Sequence, residues 1–226
     1  MKHSRIFLAE FLGTASLLIV VVGSGIMGET LSQGNNAIAL LANSLATGAG
    51  LYALIQTFGP ISGAHFNPIV SWVEFLWKRI TLTELRSYFL AQFIGAIGGV
   101  IATHLMFGKQ LIELSSHNRG DLRLMFSEVL ATTGLLLVIA LSGKKNVEAT
   151  PAAVSLYITA AYWCTSSTSF ANPAVTVARS LTDSFSGILW TGVPGFIAAQ
   201  IVGGIVAFQI TKTLTASENE FEQTRR

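Results

Sequence analysis

The sequence predicts an all-α membrane protein: six transmembrane helices plus two re-entrant half-helices, arranged as an inverted repeat. Three observations carry that prediction. Of 226 residues, 51% are hydrophobic and only 12% charged, where a soluble domain carries about 25% charged residues. Apolar runs near the ~20 residues that cross a bilayer recur along the whole chain. The dipeptide Asn-Pro occurs twice, at Asn67-Pro68 and Asn172-Pro173, each time after a run of small residues.

The full spans read as roughly 6–27, 36–58, 84–107, 123–142, 149–168 and 187–211. The first is basic at its start and could open a signal peptide. Its apolar run extends to about Met27, carries Glu10 and ends without a small-residue cleavage site, so it is read as a span. Two shorter segments, about 67–78 and 172–183, do not span. Twelve helical residues reach about 18 Å, a little over half of a ~30 Å hydrocarbon core. Asn is a favourable helix N-cap, and Pro at the first helical position loses no intrahelical hydrogen bond. Each Asn-Pro therefore marks a helix start inside the membrane.

The chain echoes itself. Ala9-Glu10-Phe11-Leu12-Gly13-Thr14 returns as Ser127-Glu128-Val129-Leu130-Ala131-Thr132. Leu90-Ala91-Gln92 returns as Ala198-Ala199-Gln200, and the Asn-Pro pair repeats between them. Each half holds three spans and one half-helix. The odd count inverts the second half, and such folds place their site at the midplane between the halves. One channel domain covers residues 1–212, with halves at about 1–108 and 120–212, followed by a cytoplasmic tail at 213–226. Only Lys109, Arg119, Arg123 and Arg179 of the 14 Lys and Arg fall on the outer side when both termini are placed in the cytoplasm, as the positive-inside rule favours.

Non-helical backbone inside a membrane is tolerated where it lines a wet cavity. Gly63, Ala64 and His65 are expected to present pore-lining carbonyls. Asn67 and Asn172 would donate hydrogen bonds at the centre, and two opposed helix N-termini would repel cations and protons. Cys164 is the only cysteine, so no intrachain disulfide and no cysteine metal cluster is possible. With no nucleophile–base arrangement and no metal-ligand cluster, the chain reads as no enzyme, without cofactor, metal or nucleic-acid partner.

On Ala9-Glu10-Phe11, Ser62-Gly63-Ala64-His65-Phe66-Asn67-Pro68, Asn172-Pro173-Ala174 and the repeated Gln92 and Gln200, residues 6–211 resemble the aquaporin (major intrinsic protein) family. The resemblance implies a homotetramer with one pore per subunit. It also implies that Glu10 and Glu128 brace the two re-entrant loops by hydrogen-bonding their backbone, a role preferred here over a proton relay. His65 would line the pore with its carbonyl while its ring packs.

Two departures stand out. Ile69 replaces the Ala of the first Asn-Pro-Ala, where Pro173 and Ala174 keep the second. Three residues after Asn172, family members that carry water or glycerol usually have Arg; here Val175 stands there. Carried over by spacing, the selectivity filter becomes Thr47, Ala160 (or, one residue on, Ala161), Ser169 and Val175, with no charge and no aromatic ring. Arg179, one helical turn beyond Val175, is a candidate for the outer mouth or for pairing with Asp183 or with a loop carbonyl.

A filter of this type resembles bacterial aquaporin-like proteins linked to arsenic resistance. The expected function is a passive channel in the bacterial inner membrane for small uncharged solutes: arsenite or methylated arsenicals, glycerol-like solutes, or both. The alternatives are a plain water/glycerol facilitator, a proton-coupled secondary transporter, and a membrane protein with little flux.

Overall fold

The computed structural model describes residues 2–143 and 147–223. Lys144, Lys145, Arg225 and Arg226, which contribute to the predicted orientation, lie outside the described residues, as do the side chains of Lys2 and of Glu218, Glu220 and Glu222 in the tail. Among the described residues, eight α-helices follow in order: α1 (Lys2–Leu31), α2 (Asn36–Ser62), α3 (Pro68–Leu76), α4 (Leu82–Met106), α5 (Leu122–Ser142), α6 (Thr150–Cys164), α7 (Pro173–Arg179) and α8 (Val193–Gln223). Five of them, α1, α2, α4, α5 and α8, are long and apolar enough to cross a membrane. α6 has 15 residues and extends at its start into a 3-10 turn, Val147–Ala149. It takes the place of the predicted fifth span but stops at Cys164 instead of 168, because the chain then leaves helical geometry toward the second Asn-Pro. The predicted tail begins as a continuation of α8, which runs to Gln223.

Sequence-local signals set the helix ends. Asn35 caps α2 through its side-chain oxygen, and Thr81 with Glu84 forms a reciprocal capping box on α4. Asp121 caps α5. Gly63, in the left-handed region at φ 83°, ends α2 and turns the chain into the first re-entrant segment.

The packing follows the repeat. α1 packs chiefly against α4 and α2, α5 against α8, and α2 meets α6 between the halves. The two long pairs close on matched glycines. A Cβ at Gly95 would lie 2.5 Å from the Phe11 carbonyl oxygen, and one at Gly203 would lie 2.7 Å from that of Val129. Small residues at these crossings let the backbones approach closely, as membrane helices require. The outward surface is apolar, with Leu8, Leu45, Leu90, Leu130 and Leu156 exposed. The interior instead buries Glu10, Gln92, Glu128 and Gln200 completely. Apolar outside and polar within is the pattern of a chain solvated by lipid.

Candidate functional site: a central cavity between the two half-helices

Both half-helices begin as their sequences dictate. Asn67 and Asn172 are extended residues, at φ −152° and −158°, and each caps the helix that follows. Asn67 Oδ1 accepts from the Ile69 amide; Asn172 Oδ1 accepts from those of Ala174 and Val175. The preceding segments reach this point through alternating left-handed residues, Ala64 and Phe66 in the first, Ser169 and Ala171 in the second. Such conformations cost free energy in non-glycine residues and persist only where the surroundings over-determine them.

Two buried carboxylates supply that constraint. Glu10 accepts from the amides of His65 (3.0 Å) and Phe66 (2.8 Å), from Ser62 Oγ (2.6 Å) and from Gln92 Nε2 (2.9 Å). Glu128 accepts from the amides of Phe170 and Ala171 (both 2.8 Å) and from Gln200 Nε2 (2.7 Å). Each glutamine also donates to a hydroxyl four residues after an Asn: Gln92 to Ser71 Oγ and Gln200 to Thr176 Oγ1, both at 2.9 Å. Every bond therefore lands on backbone or on a supporting side chain, a bracing geometry.

The two motifs also hold one another. Asn67 Nδ2 donates to the Ala171 carbonyl and Asn172 Nδ2 to the Phe66 carbonyl, each at 2.7 Å. An Asn amide has two N–H donors, so each keeps one beyond this link.

Around these residues lies a cavity of about 320 Å³, lined by both Asn side chains and by Gly63, Ala64, His65 and Phe66. Thr150, Val154, Ile158 and Tyr162 line it as one i, i+4 row of α6. At 1.5 Å per residue that row extends about 18 Å. Facing it are Leu17 and Val21 of α1, Thr47, Leu51 and Ile55 of α2, and Leu135 and Ile139 of α5. The lining is mostly apolar, crossed by one polar track of re-entrant backbone and Asn amides. The His65 ring stacks on Tyr88 with centroids 4.4 Å apart, and its Nδ1 lies 3.0 Å from Ser71 Oγ.

Of the filter positions read by spacing, Thr47, Ser169 and Val175 line the cavity. Ala160 does not. It is exposed on the outer face of α6, two residues or about 200° off the inward row. Ala161 is buried without lining the cavity. Tyr162 takes the place, its hydroxyl 3.2 Å from Thr47 Oγ1. The i, i+4 spacing from Ile158 to Tyr162 is the sequence signal that would have found it. Ser169 Oγ is buried and has no hydrogen-bond partner in the protein.

Arg179 bonds a loop carbonyl, that of Ser186, one of the partners expected for it. It is 2% exposed, lines the cavity, and is not paired with Asp183, which accepts instead from the amide and hydroxyl of Ser116. The cavity wall thus contains both an aromatic ring and a cation, where spacing had put neither. Ile69 is buried against Gly204 of α8, where a Cβ would lie 3.0 Å from Ile69 Cγ2. The missing side chain at Gly204 makes room for the larger residue. Cys164 is exposed at the end of α6 and does not line the cavity. Among the described residues, no group of three or more His, Cys, Asp or Glu could hold a metal ion.

Comparison with known proteins agrees with this geometry. The family model for major intrinsic protein matches residues 1–158 and 117–226. Aquaglyceroporin AqpS of Rhizobium meliloti (strain 1021) is 46% identical over 211 residues, covering 93% of this chain and 90% of the relative. Aquaporin-1 of Homo sapiens is 37% identical over 107 residues, 46% of this chain and 38% of its own. The structure of the aquaglyceroporin from Plasmodium falciparum superposes with a TM-score of 0.68 at 23% identity, over 92% of this chain and 94% of its own.

Proposed function

Since the chain belongs to the major intrinsic protein family, whose members are membrane channels and not enzymes, we propose that its solutes are small polyhydroxylated neutral molecules: glycerol-like compounds and the trihydroxylated metalloid arsenite. The observation that carries this reading is the amphipathic cavity. Val154, Ile158, Leu135 and Val175 offer an apolar wall, and Ser169 Oγ and the two Asn amides offer hydrogen-bonding groups on the other track. A molecule with hydroxyls along one edge and little polarity on the other exchanges its water for this lining at low cost. The name aquaglyceroporin, carried by a relative 46% identical, supports the same class. Methylated arsenicals, less hydroxylated, belong to the proposed range as well.

A second reading, a plain water/glycerol facilitator, is favoured by Tyr162 and Arg179, which narrow a lining that spacing had made small and uncharged. The proposed setting is the bacterial inner membrane, with both termini cytoplasmic and one pore per subunit of a homotetramer. Glu10 and Glu128 are engaged with backbone amides, which speaks against either as a proton carrier.

Vesicles containing the purified protein decide between the readings. Shrinkage and re-swelling are followed in glycerol, urea, arsenite and an impermeant osmolyte. The polyol reading expects glycerol and arsenite to enter well above empty vesicles, without saturation and without response to a pH gradient. Passage of water alone would overturn it. Val175→Arg should cut glycerol and arsenite entry about tenfold while sparing water; equal loss for all three would remove Val175 from the filter.

A further inference from the structure

Val175 stands where the family resemblance implies a filter arginine, and the fold brings a guanidinium into the cavity wall from Arg179 instead. Arg179 is the last residue of α7, one turn beyond Val175. Its Nε donates to the Ser186 carbonyl in the loop that follows. Its guanidinium carbon lies 3.4 Å from the centroid of the Phe170 ring, a stacking that a planar cation makes and an ammonium does not. Phe170 is itself fixed through its amide on Glu128 and edge-on against Phe196, at 5.2 Å between centroids. On the same ring, at 5.2 Å, sits Arg119, which donates to the carbonyls of Gly187 and Ser167.

This seat fixes Arg179 without neutralising it. Among the described residues no carboxylate comes within 4.0 Å of it, and its two terminal nitrogens donate to no protein group. Yet the side chain is 2% exposed and lines the cavity together with Tyr162, Ser169 and Val175. A buried cation with unused donors has only the cavity's contents to bond to. Its field acts at close range in a low-dielectric wall, where screening by salt is weak.

We infer that Arg179 is the specificity-determining cation of this pore. It sets a positive barrier against permeant cations and offers its amino groups to the oxygens of neutral solutes. Phe170 and Ser186 are its positioning residues. The inference rests on the channel reading above and adds charge selection to it.

Urea and guanidinium ion test it, because they share a planar shape and differ by one charge. Entry of each is measured in protein-containing vesicles, with glycerol as a further neutral reference. The native protein should pass the neutral solutes and exclude guanidinium. Arg179→Gln should raise guanidinium entry, taken as a ratio to urea entry in the same vesicles, about tenfold or more. Arg179→Lys, which keeps the charge, should keep the exclusion. Val175→Arg added to Arg179→Gln should restore it, since charge returns to the same stretch of wall. Continued exclusion of guanidinium by an Arg179→Gln protein that still passes urea above empty vesicles would overturn the inference. If Arg179→Gln does not yield a folded protein, Arg179→Lys decides: guanidinium entry rising as far as that of urea would overturn it equally. Native protein that passes no neutral solute above empty vesicles would instead sink the channel reading itself.

Discussion

The side-chain amide of Asn67 donates, at 2.7 Å, to the carbonyl of Ala171, the residue immediately before the second Asn-Pro. Its counterpart runs from Asn172 to Phe66. The residues that cap the two half-helices therefore also fasten the two halves of the chain together.

Asn67→Ala removes a helix cap and a cross-repeat bond in one step. It should destabilise the protein by about 2–3 kcal/mol, from ~1 for the cap and 1–2 for the orphaned carbonyl. Asn172→Ala should do the same. The two bonds join the same pair of segments, so the double variant should lose less than the sum by about 0.5 kcal/mol or more. Thermal unfolding in detergent, followed by loss of the monodisperse peak, measures this. Strict additivity would show that the bonds act independently.

Glu10 and Glu128 each accept from two backbone amides and a glutamine. Replacement by Gln puts an NH₂ group where only acceptors fit, opposing donors already in place. Glu10→Gln and Glu128→Gln should each cost about 3 kcal/mol or more, whereas Gln92→Leu and Gln200→Leu should cost about 1–2. The same unfolding assay applies. A carboxylate used as a proton relay would behave differently: its Gln variant would keep its stability and alter only the pH dependence of flux.

The wall register on α6 is tested by a pair of substitutions. Tyr162→Ala removes a ring from the cavity and should admit four- and five-carbon polyols that the native protein excludes, with a rise of about tenfold. Ala160→Trp adds a large ring on the exposed face and should leave glycerol flux unchanged. A block by Ala160→Trp would return the filter to the position that spacing suggested.

At the C-terminal end of α7, the segment after α4 is pinned to the loop that follows. Glu113 and Ser115 donate from their amides to Leu181 and Ser180, and Asp183 accepts from Ser116. Those bonds hold the Asp183 carboxyl below the usual aspartate range, with His117 and Lys109 adding a smaller pull. Lys109 holds Glu113 low in the same way. A depressed carboxyl contributes its stabilisation fully above the unfolded pKa, about 4, and loses it as pH falls through the folded value. Hydrogen exchange at the Ser116 amide, corrected for intrinsic rate, should stay protected at neutral pH and accelerate below about pH 4. Asp183→Asn keeps an acceptor without the titration and should flatten that dependence. Loss of protection on raising the pH would contradict the sign.

Periodicity and repetition made the scaffold readable. The Asn-Pro pairs, the matched glutamates and the echoed glutamines are local or repeated features, and they occupy matched places in the structure. Ser71 and Thr176 were equally readable, each four residues past an Asn, on the face its glutamine meets. The filter was less legible for a physical reason. Between Cys164 and Asn172 the chain runs through Thr168, Ser169 and Ala171 with positive φ, so counting back from Asn172 across that stretch does not preserve helical phase. Ala160 came out two residues from the inward row. For Arg179 only the pairing with Asp183 failed; its seat on Phe170 was illegible because Phe170 and the Ser186 carbonyl come from either side of α7, partners that no helical spacing brings together. Arg119 reaches Ser167 and Gly187 from a polar loop with no pattern of its own.

The link from Asn172 to Phe66 has a consequence for how the chain is made. It joins residues 106 positions apart. At ribosomal speeds of roughly 5–20 residues per second, the Phe66 carbonyl waits roughly 5–20 s for its donor. During that interval the first re-entrant segment has only partners from its own half, among them Glu10 on the amides of His65 and Phe66 and Tyr88 against the His65 ring. The cross-repeat bond cannot form before the second Asn is made, so the wall between the two motifs is completed last.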